Sequence, residues 1–308
     1  MNRLVVISNR VTVSTDKKAR AGGLAVALQD ALRENGGLWF GWSGKTVQKP
    51  SCQPAMVTDG NVTYATINLS RKNFAEYYNG FANRTLWPLF HYRLDLTAFS
   101  KQNYSGYQQV NTLFASKILP LLEDDDTIWV HDYHLIPLGE ELRRTGVTQR
   151  MGFFLHIPFP AMEIMTALPS HRSLIRSLCA YDLVGFQTEN DLRAFFDYIV
   201  HEAGGKIIGN HRIQAFGRTL KVQVFPIGIN TEAIIRETLN SSRSKMARGL
   251  MDRPSDKDWI IGVDRLDYSK GIVERFQAFE RLLENYPAYR GRVTLLQIAP
   301  PSRSEVPE

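Results

Sequence analysis

Cysteine is scarce in this chain: among 308 residues there are two, Cys52 and Cys179, far apart in sequence. That scarcity excludes a disulfide scaffold and a Cys-based zinc site, and it fits a reducing compartment such as the cytoplasm. No apolar run approaches the ~20 residues of a membrane-spanning helix, so no membrane partner is expected. The first apolar run, Leu4-Val-Val-Ile7, is too short for a signal-peptide core. Long runs of lysine or arginine are also missing. The 37 basic residues are mixed with 31 acidic ones, for a net charge of +6. Such spreading favours a basic anion-binding cleft over a nucleic-acid stripe, so no nucleic-acid partner is expected. Several nucleotide and hydrolase signatures are absent too. No Gly-x-Gly-x-x-Gly follows the first strand, and there is no Gly-x-Ser-x-Gly nucleophile elbow. Gly44-Lys45-Thr46 looks like the end of a P-loop, but Trp39 stands where that loop needs its first glycine.

What is present is an alternation of short apolar strands and helical periodicity. Strands are predicted at Leu4–Ser8, Val62–Ile67, Thr127–His131, Arg150–His156, Leu183–Phe186, Val222–Pro226, Trp259–Val263 and Val293–Ala299. Helical spacing falls between several of them, at Gly23–Asn35, Gly106–Leu122, Leu138–Thr145, Glu163–Ala167, Arg172–Ala180, Glu189–Glu202 and Val273–Asn285. Near-continuous apolar strands alternating with helices predict an α/β fold, a parallel sheet with helices on both faces. Such sheets bind ligands beyond the carboxyl ends of their strands. Residues 235–258 are polar and break the pattern, which predicts a linker helix and a domain boundary near residue 255.

The chemical signals sit at strand ends. Ser8-Asn9-Arg10 closes the first strand, and Gly22-Gly23 opens the helix that follows. Glycines there allow close approach of backbone N–H groups, and a helix start favours an anion; a plain turn is the alternative. In His131-Asp132-Tyr133-His134 a carboxylate lies between imidazoles, suited to sugar hydroxyls or to accepting a proton. A metal site competes there, but His-x-x-His lacks the remaining ligands. His156 precedes Pro158 and Pro160, which end its strand and place the ring at the strand's open end. The aromatic stretch containing Tyr78, Trp87 and His91 suits sugar stacking and phosphate contacts, although such stripes are also core material. Finally, Arg265-Leu-Asp-Tyr-Ser-Lys270-Gly271 sits between a strand and a helix start. Two cations at that point can stabilise a departing diphosphate.

Taken together, these segments resemble one family. Ser8-Asn-Arg10, Gly22-Gly23-Leu24, Gly37-Leu-Trp-Phe-Gly-Trp42, Leu86-Trp-Pro88, His131-Asp-Tyr-His134, Leu155-His-Ile-Pro-Phe-Pro160, Gly185-Phe-Gln-Thr188, Pro226-Ile-Gly228 and Arg265–Gly271 occur in the order seen in trehalose-6-phosphate synthases. These are retaining glycosyltransferases of family 20 with the two-lobed GT-B fold. The resemblance implies transfer of glucose from UDP-glucose to glucose 6-phosphate, giving α,α-trehalose 6-phosphate and UDP, without a metal or other cofactor. It implies that Arg10, Tyr78, Trp87, Asp132 and Arg303 bind glucose 6-phosphate. Gly22, Gly23, His156, Arg265 and Lys270 would bind the donor, and Asp132, His156, Arg265 and Lys270 would serve catalysis. Residues 1–255 would be a Rossmann-like acceptor lobe, and 256–308 the beginning of a second, nucleotide-sugar lobe. The family's acidic donor-binding stretch is expected beyond residue 308, which makes the rest of that lobe an expected partner. Self-association is left open. A binding lobe without activity, or a relative using another sugar or cyclitol phosphate, are the alternatives.

Overall fold

The computed structural model describes residues 3–11, 23–242 and 257–300. The described chain divides into two compact units, residues 1–227 and 228–308. The expected boundary near residue 255 lies in 243–256, outside the described residues.

The first unit is built on strand β1 (Leu4–Arg10), buried from Val5 through Ser8. Burial on both faces is what a central strand of a parallel sheet requires. After β1 the chain forms helix α1 (Gly23–Asn35) and returns as β2 (Gly37–Val47), parallel to β1. It continues outward through β3 (Ala55–Asp59) and β4 (Val62–Ser70). It then crosses to the other side of β1. There β5 (Thr127–His131), β6 (Arg150–Phe154), β7 (Leu183–Phe186) and β10 (Arg218–Val224) add in parallel. Antiparallel strands close both edges, β3 at one and β9 (Arg212–Ala215) with β8 (Lys206–Ile207) at the other. The strand order reverses between β1 and β5, and a crevice at such a switch point is where open α/β sheets hold ligands.

β2 is a strand that apolar alternation misses. Glycine weakens strand propensity, and this segment carries Gly37, Gly41 and Gly44. The glycines are there for close approach: a Cβ at Gly41 would run into the Ser8 carbonyl oxygen. On one face Leu28 and Leu32 of α1 pack on Val6, Trp39 and Tyr64. On the other, Phe114 of the helix Lys101–Ile118 meets Phe40 edge-on, and Tyr181 packs on Phe153. The Lys101–Ile118 helix starts earlier than its spacing predicts, because Ser100 caps it by accepting from Asn103 N–H. The aromatic stretch also proves helical. Arg71–Asn73, Phe74–Leu86 and Trp87–Phe90 follow one another as helix, the middle segment wound with π geometry. Extra residues per turn often mark functional sites.

In the second unit, a helix covers Thr231–Ser241. Beyond it, β11 (Asp258–Val263) and β12 (Val293–Ile298) pair in parallel around the helix Ile272–Asn285, a single βαβ element.

Candidate functional site

Five of the expected site residues, Arg10, Tyr78, Trp87, Asp132 and His156, lie around the switch point of the first unit. Arg10 ends β1 and pairs in register with Trp42 of β2. Beyond Trp42 the strand is irregular, with Gly44 at φ +84°. A Cβ on Gly44 would sit 2.7 Å from Arg10 Nε and 2.8 Å from one terminal nitrogen. The discarded P-loop lookalike thus lies within β2, where the pairing with β4 shifts register between Trp42 and Thr46 and a bare glycine makes room for the Arg10 guanidinium. Trp42 also touches Tyr78, with ring centres 5.6 Å apart, so it links the arginine to the aromatic helix. Tyr78 stacks between Phe74 at 5.3 Å and His134 at 5.7 Å. The adjacent Tyr77 is buried and donates its hydroxyl to Asn9 Oδ1 at 2.8 Å, which fixes the residue before Arg10. Trp87 is nearly buried, against His91 and Tyr133.

Asp132 follows the end of β5 with φ 74° and ψ 164°. That backbone region is essentially reserved for glycine, and strain of this kind concentrates at functional positions. Its N–H donates to Phe154 O at 2.8 Å, its carbonyl accepts from Leu135 N–H, and its Oδ1 accepts from His156 N–H at 3.2 Å. The aspartate and the histidine motif therefore meet although they lie 24 residues apart. β6 ends at Phe154, two residues short of the expected Arg150–His156, so His156 lies just past the strand's open end. Phe159, in the same loop, donates its N–H to buried Asp191, whose other oxygen accepts from both the N–H and hydroxyl of Thr188. Asp191 thus joins the loop to the capped start of the helix Glu189–Asp197.

The His156 ring is half-buried, and burial lowers its pKa to about 4. Its Nε2 lies 3.0 Å from Nδ1 of His131, whose ring is fully buried. Both histidines line a cavity of about 400 Å³ whose other walls include Trp129, Phe154, Leu183 and Phe225. Among the described residues no group of three or more His, Cys, Asp or Glu is placed to hold a metal ion.

In the second unit Arg265 and Lys270 lie where the motif predicts, between β11 and the helix Ile272–Asn285. Asp267 folds the loop by accepting from the N–H and hydroxyl of Ser269 at 3.0 and 2.9 Å. Gly271 turns the chain at φ 60°, and no side chain caps the helix after it. Its first N–H groups, with the helix dipole, favour an anion beside two cations. Gly23 opens α1. Gly22 and Arg303 fall outside the described residues. Sequence reasoning gave no individual role to Trp42, Gly44, Asp191 or His131. For Trp42 the repeated aromatic–glycine pattern is a signal; for the other three the contacts are between distant segments.

A sequence profile for glycosyltransferase family 20 matches residues 2–308. The chain belongs to glycosyltransferase family 20. A trehalose-6-phosphate synthase of Klebsiella pneumoniae is 50% identical, over 99% of this chain and 64% of the relative. The chain therefore spans just under two thirds of that relative's length. Among solved structures, a UDP-forming alpha,alpha-trehalose-phosphate synthase from Burkholderia vietnamiensis superposes with a TM-score of 0.96 at 49% identity, covering 99% of this chain and 65% of the other. One from Burkholderia xenovorans in complex with glucose-6-phosphate gives 0.94 at 50% identity, covering 99% and 67%. The family 20 chain thus has the α/β architecture of these GT-B glycosyltransferases.

Proposed function

We propose that this family 20 chain supplies the acceptor side and the diphosphate grip of a UDP-forming trehalose-6-phosphate synthase. The observation that carries the reading is the Asp132–His156 contact, which joins an acceptor motif to a donor motif at the switch point. Arg10, with Arg303 and Tyr78, would take the phosphate of glucose 6-phosphate, since guanidinium groups bind phosphate in bidentate fashion. Asp132 and Trp87 would hold its sugar, and His156 with the Gly22-Gly23 loop the donor glucose. As the donor's glucosyl–oxygen bond breaks, electrons pass to the leaving diphosphate, where Arg265 and Lys270 stabilise the charge. The acceptor's anomeric oxygen forms the new bond on the same face, and its proton passes to the leaving phosphate oxygen. The pair of cations stands in for a metal in this scheme. Both substrates are charged phosphates that do not cross lipid, which suits work in the cytoplasm, and no described helix is long and apolar enough to span a membrane.

Calorimetry of this chain with glucose 6-phosphate, glucose and UDP-glucose, followed by a UDP-release assay with and without a chelator, tests the proposal. Binding of glucose 6-phosphate well above glucose, with chelator-insensitive UDP release, is the expected result for an active chain. Binding without release would reduce the chain to an acceptor lobe that needs the remaining third of its relatives' length. Equal affinity for glucose and glucose 6-phosphate would defeat the acceptor assignment.

A further inference from the structure

His131 has no part in the scheme above, yet its ring is sealed in the sheet, between Trp129 with ring centres 4.3 Å apart and the His156 ring at 5.2 Å. The separation of 3.0 Å between His131 Nδ1 and His156 Nε2 is a hydrogen bond, which needs one proton between the two nitrogens. The other nitrogen of His131, Nε2, is buried and meets no hydrogen-bond partner among the described residues. Burial disfavours the charged form of both rings, and at His131 the neighbouring imidazole adds to the effect. Near neutral pH each ring is therefore uncharged and carries a single proton.

Only two arrangements satisfy that count. In the first, His156 carries its proton on Nε2 and donates to a bare His131 Nδ1. His131 must then carry its own proton on Nε2, as a buried N–H with no acceptor among the described residues. In the second, His131 donates from Nδ1, and only a lone pair is left at its Nε2. A buried N–H without a partner loses its full hydration, and among backbone groups an unpaired N–H is rarer than an under-used acceptor. The second arrangement wins. His156 Nε2 is then occupied as an acceptor, and its proton must sit on Nδ1. Which nitrogen of a histidine is protonated is commonly set in this way by the bond the other nitrogen makes.

We infer that His131 is a positioning residue that locks His156 as the Nδ1–H tautomer, so that His156 meets its ligand as a hydrogen-bond donor and not as a base. The tautomer stands on the geometry of this pair. Its use toward a sugar oxygen of the nucleotide donor rests on the function proposed above. There, the neutral donor would orient a hydroxyl and take no proton from it, consistent with a scheme in which the leaving phosphate receives the acceptor's proton.

Long-range nitrogen–proton NMR of the histidine-labelled 308-residue chain at neutral pH reads the tautomers directly. Seven histidines give a spectrum that single substitutions can assign. The expected spectrum shows both His131 and His156 protonated at Nδ1. In His131→Phe, His156 should revert to the Nε2–H form that imidazoles favour in water. In His131→Asn, whose amide can donate from nearly the position of Nδ1, it should stay Nδ1–H. UDP-glucose affinity should follow the tautomer, falling about tenfold in the Phe variant and recovering in the Asn variant, a loss typical of one misdirected hydrogen bond. A proton on His156 Nε2 in the unaltered chain overturns the inference even if the Phe variant fails to fold. So does an unchanged His156 tautomer in a folded Phe variant. If the unaltered chain shows the expected tautomers but binds no UDP-glucose, the sugar contact proposed above fails and the positioning by His131 stands.

Discussion

Replacing Asp132 by glycine should leave a more stable protein than replacing it by alanine, the reverse of the usual order. At an ordinary site glycine is worse than alanine by roughly 0.5–1 kcal/mol, because the unfolded chain gains freedom. Asp132, however, sits at φ 74° and ψ 164°, where a Cβ is strained. Such backbone costs on the order of 1–3 kcal/mol. Both substitutions lose the same carboxylate bond to His156 N–H, and both keep the backbone bonds to Phe154 O and from Leu135 N–H. The comparison therefore isolates the strain. Relief of about 1–3 kcal/mol less about 0.5–1 for flexibility leaves glycine ahead by about 0.5–2 kcal/mol. At about 2–4 °C per kcal/mol for a unit of this size, the Tm values should differ by roughly 1–8 °C. Thermal and urea unfolding of the two variants side by side give the answer, and both should bind glucose 6-phosphate poorly. An alanine variant as stable as the glycine variant, or more so, would mean that the backbone at Asp132 is not strained and that its position does not come at a cost to the fold.

Other outcomes follow from the same site. Gly44→Ala should push the Arg10 guanidinium aside and lower glucose 6-phosphate affinity about tenfold, the worth of one weakened charge-assisted bond, with glucose affinity unchanged. Calorimetry should find Gly44→Ala with Arg10→Ala no worse than Arg10→Ala alone, and additive losses would refute the link. For pH, the folded pKa of His156 is about 4, below its ordinary value of 6.5. Its neutral burial therefore contributes stability above the unfolded pKa. That stability is lost as pH falls from about 6.5 toward 4, because the unfolded chain binds the proton first, and the loss reaches roughly 3 kcal/mol. His156→Gln should flatten that part of the Tm–pH curve, and an unchanged slope would count against the burial. Asp191→Ala removes the carboxylate half of the capping box, its bonds from the N–H and hydroxyl of Thr188, and leaves Phe159 N–H unpaired in a buried site; it should cost about 2–4 kcal/mol in urea unfolding. In a chain extended to its relatives' full length, Lys270→Ala or Arg265→Ala should lower the rate of UDP formation on the order of 100-fold or more, and near-normal turnover would remove them from the diphosphate site.

Much of this site was legible because its chemistry sits where local patterns change. The short apolar run before Arg265 and the helical spacing after Gly271 place that loop without any tertiary information. The prolines after His156 likewise mark a strand end. What escaped has a common cause. Gly37–Val47 is rich in glycine because its backbone lies against Leu4 and Ser8 of β1, so the close packing that makes it a strand erases the strand pattern. The aromatic helix from Phe74 was ambiguous because the same side chains serve both purposes. Tyr77 and Phe81 are core, while Tyr78 stacks beside Trp42.

By itself, the sequence determined the α/β class, the placing of charged and polar groups at strand ends, and through its motifs the resemblance to family 20. These are local properties, set by hydrophobic period, helix starts and turn residues. The tertiary structure decided which strand ends are neighbours. Reversal of strand order at β1 puts Arg10 and Asp132 beside one crevice. Parallel pairing of β5 with β6 then brings His131 within hydrogen-bond reach of His156, 25 residues further on. No periodicity encodes that meeting, since it depends on the order in which strands pair. The proton on His156 depends on it in turn, through a nitrogen of His131 that only the folded sheet seals from water.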